Sequence, residues 1–334
     1  MLPSASDPRR QVAPRAVVEP ALTDLERAWR TVHAHLRPTP VDFGTPGGSG
    51  PDFLLKLESL QPTGSFKVRG ALSALSAIEE GSRIVTASAG NHGLGVAYAA
   101  RALGRPATVV VAENASPAKV SLLRRFGVDL VQVGTSYDEA EAHALGLVGR
   151  GVHYLSSYND PHVIAGQATI GFELDDQLTE YLGELTVVCG IGGGGLASGL
   201  GLWASARSGV RIVGVEAEVS TAVSAAIAAG GQVTAEIGDS LADGMVGNIE
   251  PGSVTPALIS RYVDDLVTVS EAEIRAAIRY LAAERGCVSE GAGAAATAAL
   301  LAGKVGSRGP VVALVSGRNI TLPALATVLR SAEA

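Results

Sequence analysis

Pro62-Thr63-Gly64-Ser65-Phe66-Lys67-Val68-Arg69-Gly70-Ala71 sets one lysine in the first turn of a helix, directly behind a turn-forming Pro-Thr-Gly-Ser run. An aromatic residue precedes the lysine and small residues follow it. A lysine at a helix start is held by backbone. The positive end of the helix dipole disfavours its ammonium form and favours the free amine. That amine is the form that condenses with an aldehyde. A lone lysine in such a place is more often a solvated side chain on an amphipathic helix. The decision therefore rests on what the rest of the chain sets beside it.

The chain has 334 residues, more than one ordinary core holds, which predicts two domains. Hydrophobic residues make up 47% and charged residues 18%, with 41 glycines, the composition of a well-buried α/β enzyme. A net charge of −7 argues against nucleic acid and anionic membranes as partners. No apolar run is long enough to span a bilayer. Residues 1–18 are rich in Pro and Arg and lack an apolar centre in their first part, which predicts a loose tail rather than a signal peptide. Cys189 and Cys287 fall in unrelated segments, so neither a disulfide framework nor a cysteine zinc site is expected. A reducing cytoplasm is the expected compartment.

Strand and helix patterns alternate along the chain. Residues 83–87, 107–111 and 129–133 read as strands separated by one helix that follows the 88–92 loop and runs through 103 and another at 117–126, with a short strand at 153–155. The second half repeats the theme: a long helix over 164–182, strands at 185–189 and 211–215, a strand at 265–269, an Ala/Gly helix over 291–302 and a last strand at 310–315. Ser270 and Glu273 form a capping-box signature. This is an α/β architecture with buried, mostly parallel strands in two open twisted sheets flanked by helices. The expected division is a large domain of residues 19–69 plus 153–334, with 70–152 as a small domain inserted in it.

Gly190-Ile191-Gly192-Gly193-Gly194-Gly195 follows an apolar strand and opens a helix. Its backbone N–H groups and the helix N-terminus suit a phosphate. The run also satisfies Gly-x-Gly-x-x-Gly, with Glu216 ending the next strand, which is the dinucleotide fingerprint in its proper context. A nicotinamide enzyme is therefore a competitor, although four consecutive glycines exceed what the dinucleotide turn needs. Whose phosphate binds is open on this stretch alone.

Two more loops bear on it. Ser88-Ala89-Gly90-Asn91-His92 lies between a strand and a helix, where free N–H groups suit a carboxylate and Asn91 adds an amide donor for a phenolic oxygen. Ser316-Gly317-Arg318-Asn319 follows the last strand, where Ser316 suits a ring nitrogen. Each is an ordinary polar turn when taken singly. Together with Lys67 and the glycine run they supply an amine, a phosphate cradle, a carboxylate cradle and two ring anchors. Most of these lie at the C-terminal ends of predicted strands, where open α/β sheets bind ligands.

With those pieces assembled in this order, the chain resembles the fold-type II pyridoxal-phosphate enzymes, which share the tryptophan synthase β-like fold. Within them it is similar to the threonine/serine dehydratases and their relative serine racemase, from about residue 20 onward. The matching stretches are 64–71, 88–92, 192–196 and 316–319. The resemblance implies that Lys67 carries pyridoxal 5′-phosphate through a Schiff base, with Phe66 against the ring and Asn91 on its 3′-oxygen. Gly192, Gly193, Gly194, Gly195 and Leu196 would hold the phosphate, and Ser316 the pyridine nitrogen. Gly244 and Glu290 match further positions near the cofactor. Ser88, Ala89, Gly90, Asn91 and His92 would hold the carboxylate of a small amino-acid substrate.

A serine at the ring nitrogen leaves the ring neutral and a weaker electron sink, which suits β-elimination over a long-lived carbanion. The implied activity is that of a lyase, an ammonia-lyase or dehydratase releasing a 2-oxo acid and ammonia from L-threonine or L-serine. Serine racemase carries a serine as opposite-face acid/base where this chain has Ala89, so little racemisation is expected. The family's cation site pairs a glutamate with an aspartate six residues on; Glu216 fits but Ala222 does not, so Glu216 is a possible metal ligand or simply a solvated strand-end acid. The chain ends soon after the last motif, so no C-terminal regulatory domain is expected, and the resemblance implies a homodimer. Two other readings stay open. One is a pyridoxal-phosphate lyase or racemase on another β-substituted amino acid; the other is an NAD-binding oxidoreductase or a ligand binder using the Gly190 loop.

Overall fold

Apolar runs form strands and small-residue segments form helices, alternating over most of the chain. The computed structural model describes residues 17–44, 53–181, 183–307 and 309–330. The tail expected over 1–18 lies outside them except for its last two residues. In chain order the elements are α1 (Leu22–His35), β1 (Val41–Asp42), β2 (Leu54–Lys56), α2 (Lys67–Ala77), β3 (Arg83–Ala87), α3 (Asn91–Leu103), β4 (Ala107–Val111), α4 (Pro117–Arg124), β5 (Asp129–Gln132), α5 (Tyr137–Gly146) and β6 (Val152–Tyr154). They continue with α6 (Pro161–Gln177), β7 (Leu185–Gly190), α7 (Gly195–Ala204), β8 (Val210–Ala217), α8 (Ala222–Ala228), α9 (Thr255–Tyr262), β9 (Asp265–Val269), α10 (Glu271–Ala283), α11 (Gly291–Leu301), β10 (Val311–Leu314) and α12 (Leu322–Arg330).

The strands form two sheets. The larger has the order β1-β2-β10-β7-β8-β9, and the smaller β5-β4-β3-β6. Every neighbouring pair is parallel except β1 with β2. The run Ala-Thr-Val-Val-Val of β4 is buried throughout, as expected of a central parallel strand covered on both faces. In the larger sheet Ala313 of β10 lies between Leu55 of β2 and Val188 of β7. That register sets the end of β10, and the Ser316 turn beyond it, beside the loops after β2 and β7.

The helices nearest these loops pack closely because glycines remove side chains at their crossings. A Cβ on Gly166 of α6 would come within 2.6 Å of the Gly70 Cα of α2, so the two backbones touch there. The Ala/Gly helix α11 packs against β7, β8, β10 and α10. Helix α6 starts at Pro161, earlier than its apolar pattern indicates, because the Asp160 side chain accepts from the N–H groups of His162 (2.9 Å) and Val163 (3.1 Å). No helix among the described residues is long and apolar enough to cross a membrane.

Candidate active site

Lys67 is the first residue of α2 and follows a turn in which Gly64 has φ +77°. A Cβ on Gly64 would also collide with the Asn319 side chain, so glycine is needed twice over. The turn is tied to the loop after β10: Phe66 N donates to Ser316 O (3.1 Å) and Arg318 N to Gly64 O (2.9 Å). On the other side a Cβ on Gly95 of α3 would lie 3.0 Å from the Lys67 carbonyl. The lysine backbone is thus held from both sides. Its Nζ donates to Ser157 O (2.9 Å) and stands 5.2 Å from the centre of the Phe66 ring. Burial pushes the amine from 10.5 down to about 8, against the opposing pull of Glu290. Dehydration by the surrounding protein is therefore what favours the free amine, a cause beyond the helix end that the sequence suggests.

Asn91 opens α3 and lies in a polar chain. Its Nδ2 donates to Glu290 Oε1 (2.6 Å), and its Oδ1 accepts from Asn319 Nδ2 (2.5 Å), which also donates to Thr63 O (2.8 Å). Burial pushes the Glu290 carboxyl up to about 7; Asn91 opposes the shift and Asp243 adds to it. Ser316, 5% exposed, donates from Oγ to Ala292 O (3.3 Å). Asn319 is a site residue to which sequence reasoning assigns no role. Its one signal is its place three residues after Ser316 in the same turn.

The glycine run joins β7 to α7. The backbone N–H groups of Gly192, Gly193, Gly194, Gly195 and Leu196 donate to no other group among the described residues. The loop is nevertheless packed. A Cβ on Gly192 would come within 2.9 Å of Gly244 O, and one on Gly193 would collide with the Tyr158 ring. Thr255 Oγ1 donates to Gly193 O (2.7 Å), and Tyr158 is fixed by its hydroxyl accepting from Glu250 N (2.6 Å). Gly194 has φ +87°, the left-handed value that turns the chain into α7. Five free donors at the start of a helix constitute an anion cradle.

After β3, Ser88 Oγ accepts from Gly90 N (3.2 Å), and Ala89 packs against the apolar core of the smaller sheet. His92 is buried, with Nε2 3.3 Å from Leu155 O and no partner for Nδ1 among the described residues. Burial, helped by the Lys67 charge, holds its imidazole down at about 3, so it is neutral at working pH. Ser65 Oγ, two residues before the lysine, is likewise buried without a partner.

Glu216 stands apart from this group. It is not a solvated strand-end acid: it is 1% exposed and its carboxylate accepts from Val223 N (3.0 Å), Ser224 N and the Ser224 hydroxyl. The strand end faces the N-terminus of α8, and the acid is used there as a cap. Burial raises its pKa. A ribose hydroxyl would have to displace those bonds, which weighs against the dinucleotide reading. No group of three or more metal-ligating side chains occurs among the described residues.

The arrangement brings an amine of lowered pKa, an anion cradle, an amide and a hydroxyl to the C-terminal edges of two sheets. Comparison with known proteins agrees with this chemistry. The family described as "Pyridoxal-phosphate dependent enzyme" matches residues 32–317. L-threonine ammonia-lyase of Thermotoga maritima is 39% identical over 307 residues, 90% of this chain and 75% of that protein. A threonine deaminase from T.th. superposes with a TM-score of 0.82 at 34% identity, covering 91% of this chain and 99% of that one. Maize serine racemase superposes with a TM-score of 0.84 at 27% identity, over 93% of this chain and 97% of its own.

Proposed function

We propose, for a chain that belongs to the pyridoxal-phosphate dependent enzyme family, that it is an ammonia-lyase converting L-threonine or L-serine to a 2-oxo acid and ammonia. The observation that carries this reading is the Lys67 amine, pushed to about 8 beside a loop of N–H groups that have no protein partner among the described residues. The relatives support the substrate class, since threonine ammonia-lyase and threonine deaminase activities are named for proteins similar to this one.

The residues fit pyridoxal 5′-phosphate. Gly192 to Leu196 would hold its phosphate through backbone N–H groups, Lys67 would carry it, and Phe66 would pack on its ring. Asn91 would donate to the phenolic oxygen and Ser316 would bond the pyridine nitrogen. Glu290 and Gly244 support these contacts, through Asn91 and Gly192 respectively. When bound, the cofactor supplies the electron-withdrawing group that acidifies the substrate Cα–H and lets the β-hydroxyl depart.

The protein does the rest. The N–H groups at the start of α3, with the Ser88 to His92 loop, hold the substrate carboxylate. The Lys67 amine takes the Cα proton; with a pKa of about 8 a useful fraction is free base near neutrality. His92, held neutral, adds no charge of its own to the site. The Ser316 hydroxyl is too weak an acid to protonate the ring nitrogen, which favours elimination over a long-lived carbanion. The proposal includes a homodimer, on the family resemblance alone, and a reducing cytoplasm, with which the unpaired Cys189 and Cys287 are consistent.

Ala89 decides between lyase and racemase. A methyl group cannot deliver a proton to the face away from Lys67, and a positioned acid or base contributes about 10²- to 10⁴-fold. With L-serine as substrate, 2-oxo acid is therefore expected to outpace D-serine by at least about 10²-fold. Chiral chromatography of one reaction mixture measures both; D-serine formed as fast as the 2-oxo acid contradicts the reading.

A further inference from the structure

Behind Lys67 lies a set of charges that the chemistry above does not use. Arg69, Glu58 and Lys56 are 0% exposed and Glu173 is 3% exposed. Arg69 grips Glu58 with two parallel bonds, Nε to Oε2 and Nη2 to Oε1, both 2.7 Å. Its Nη1 reaches Glu173 Oε1 (2.7 Å) and Thr169 Oγ1 (3.2 Å) on α6. Lys56 Nζ completes the balance with bonds to Glu173 Oε2 (2.6 Å), Thr39 O and Gln177 Oε1 (both 2.7 Å). Burial works against the Arg69 charge; Glu58 and Glu173 outweigh it and hold the guanidinium above its ordinary value.

A buried network of this kind is a poor source of stability, because well-packed apolar residues of the same volume do as well or better. What it supplies is geometry, since the planar guanidinium fork fixes both distance and direction to its carboxylate. We propose that Arg69 is a positioning residue for Lys67: its fork to Glu58 and Glu173 sets the spacing between the first turn of α2 and α6, and so keeps the lysine amine on Ser157 O. Arg69 follows Lys67 by two residues, about 200° around the helix, so one side chain enters the core while the other faces the cleft. Ser157 lies just before α6, and Glu173 and Thr169 lie on it. The two helices are therefore joined twice, by Lys67 to Ser157 at the working end and by Arg69 behind it. At Gly70 and Gly166 their backbones touch, so a change in the fork has no side chain to absorb it.

The inference rests on Lys67 carrying the cofactor, and the test separates the two. Arg69→Lys keeps the charge and loses the fork. Arg207→Lys makes the same change in another bidentate pair, with Asp175, that joins α6 to the end of α7 away from the lysine. Three quantities are read: the pH midpoint for capture of pyridoxal 5′-phosphate by apoprotein, the kcat and KM of the holoenzyme, and the unfolding midpoint. Both variants are expected to unfold more easily. Only Arg69→Lys is expected to move the capture midpoint upward from about 8 toward 10.5, because a displaced amine regains water. It is also expected to lower kcat by about 10- to 100-fold with KM changed by less than about threefold, the signature of a misplaced group. If Arg69→Lys does not fold, the isosteric Thr169→Val, which removes one bond to the fork, takes its place with a smaller shift in the same direction. A wild-type midpoint and kcat in the folded variant, or an equal shift in Arg207→Lys, overturns the proposal. Cofactor capture that survives Lys67→Ala would instead overturn the reading beneath it.

Discussion

Lys67→Ala is expected to lower kcat by about 10⁴-fold or more, since it removes both the proposed covalent anchor and the proposed base for the Cα proton. The effect should be chemical rather than structural. The side chain is half-buried and makes one hydrogen bond, to Ser157 O. Its removal also takes away an amine held below its ordinary pKa, which is a source of strain and not of stability. The unfolding midpoint of the apoprotein should therefore stay within a few degrees of wild type. The visible absorption of cofactor-loaded protein should vanish with activity. A variant that turns over within tenfold of wild type would place the reacting amine elsewhere.

Gly193→Ala is expected to weaken pyridoxal 5′-phosphate binding by about 10²-fold. The added methyl collides with the Tyr158 ring, and that ring cannot swing aside freely because its hydroxyl accepts from Glu250 N at 2.6 Å. Moving the loop instead re-aims the N–H groups proposed to bind the phosphate. A hydrogen bond to a charged group contributes about 1.5–3 kcal/mol, or about tenfold to hundredfold in affinity for each one lost. Titration of apoprotein with cofactor measures the change. Excess cofactor should restore most of the turnover, since the lysine and substrate loop are untouched. An affinity within about twofold of wild type would mean that these donors do not hold the phosphate.

Much of this site is legible from residue pattern. The strands β3, β4 and β9 match their apolar runs residue for residue. For β3 and β4 the reason is that buried parallel strands are written as apolar runs. In β9, a partly exposed edge strand, Leu-Val-Thr-Val still stands out between polar neighbours. The lysine turn, the Asn91 loop, the glycine run and Ser316 are legible for a different reason: loops at strand ends are short, so their chemistry is local in sequence. What escapes is decided by distant partners. Strand β1 is two residues long and exists only through pairing with β2. Helix α1 carries Leu25, Ala28 and Val32 on one face, a helical spacing that precedes the strand–helix alternation and so goes unread with it. Glu216 looks solvated in sequence because the α8 N–H groups it caps arrive from the next turn of chain. Lys56, Glu58, Arg69 and Glu173 carry no local signal of burial, and only the fold shows that they neutralise one another in the core.

The central claim is that the Lys67 site performs β-elimination on a hydroxy amino acid. Its most direct test is incubation of cofactor-loaded wild-type protein with L-threonine, following ammonia and 2-oxo acid together and adding no nicotinamide cofactor. Equal amounts of the two products, formed by wild type and absent with Lys67→Ala, are the predicted result. Protein that holds the cofactor on Lys67 yet leaves both L-threonine and L-serine unconsumed would contradict it.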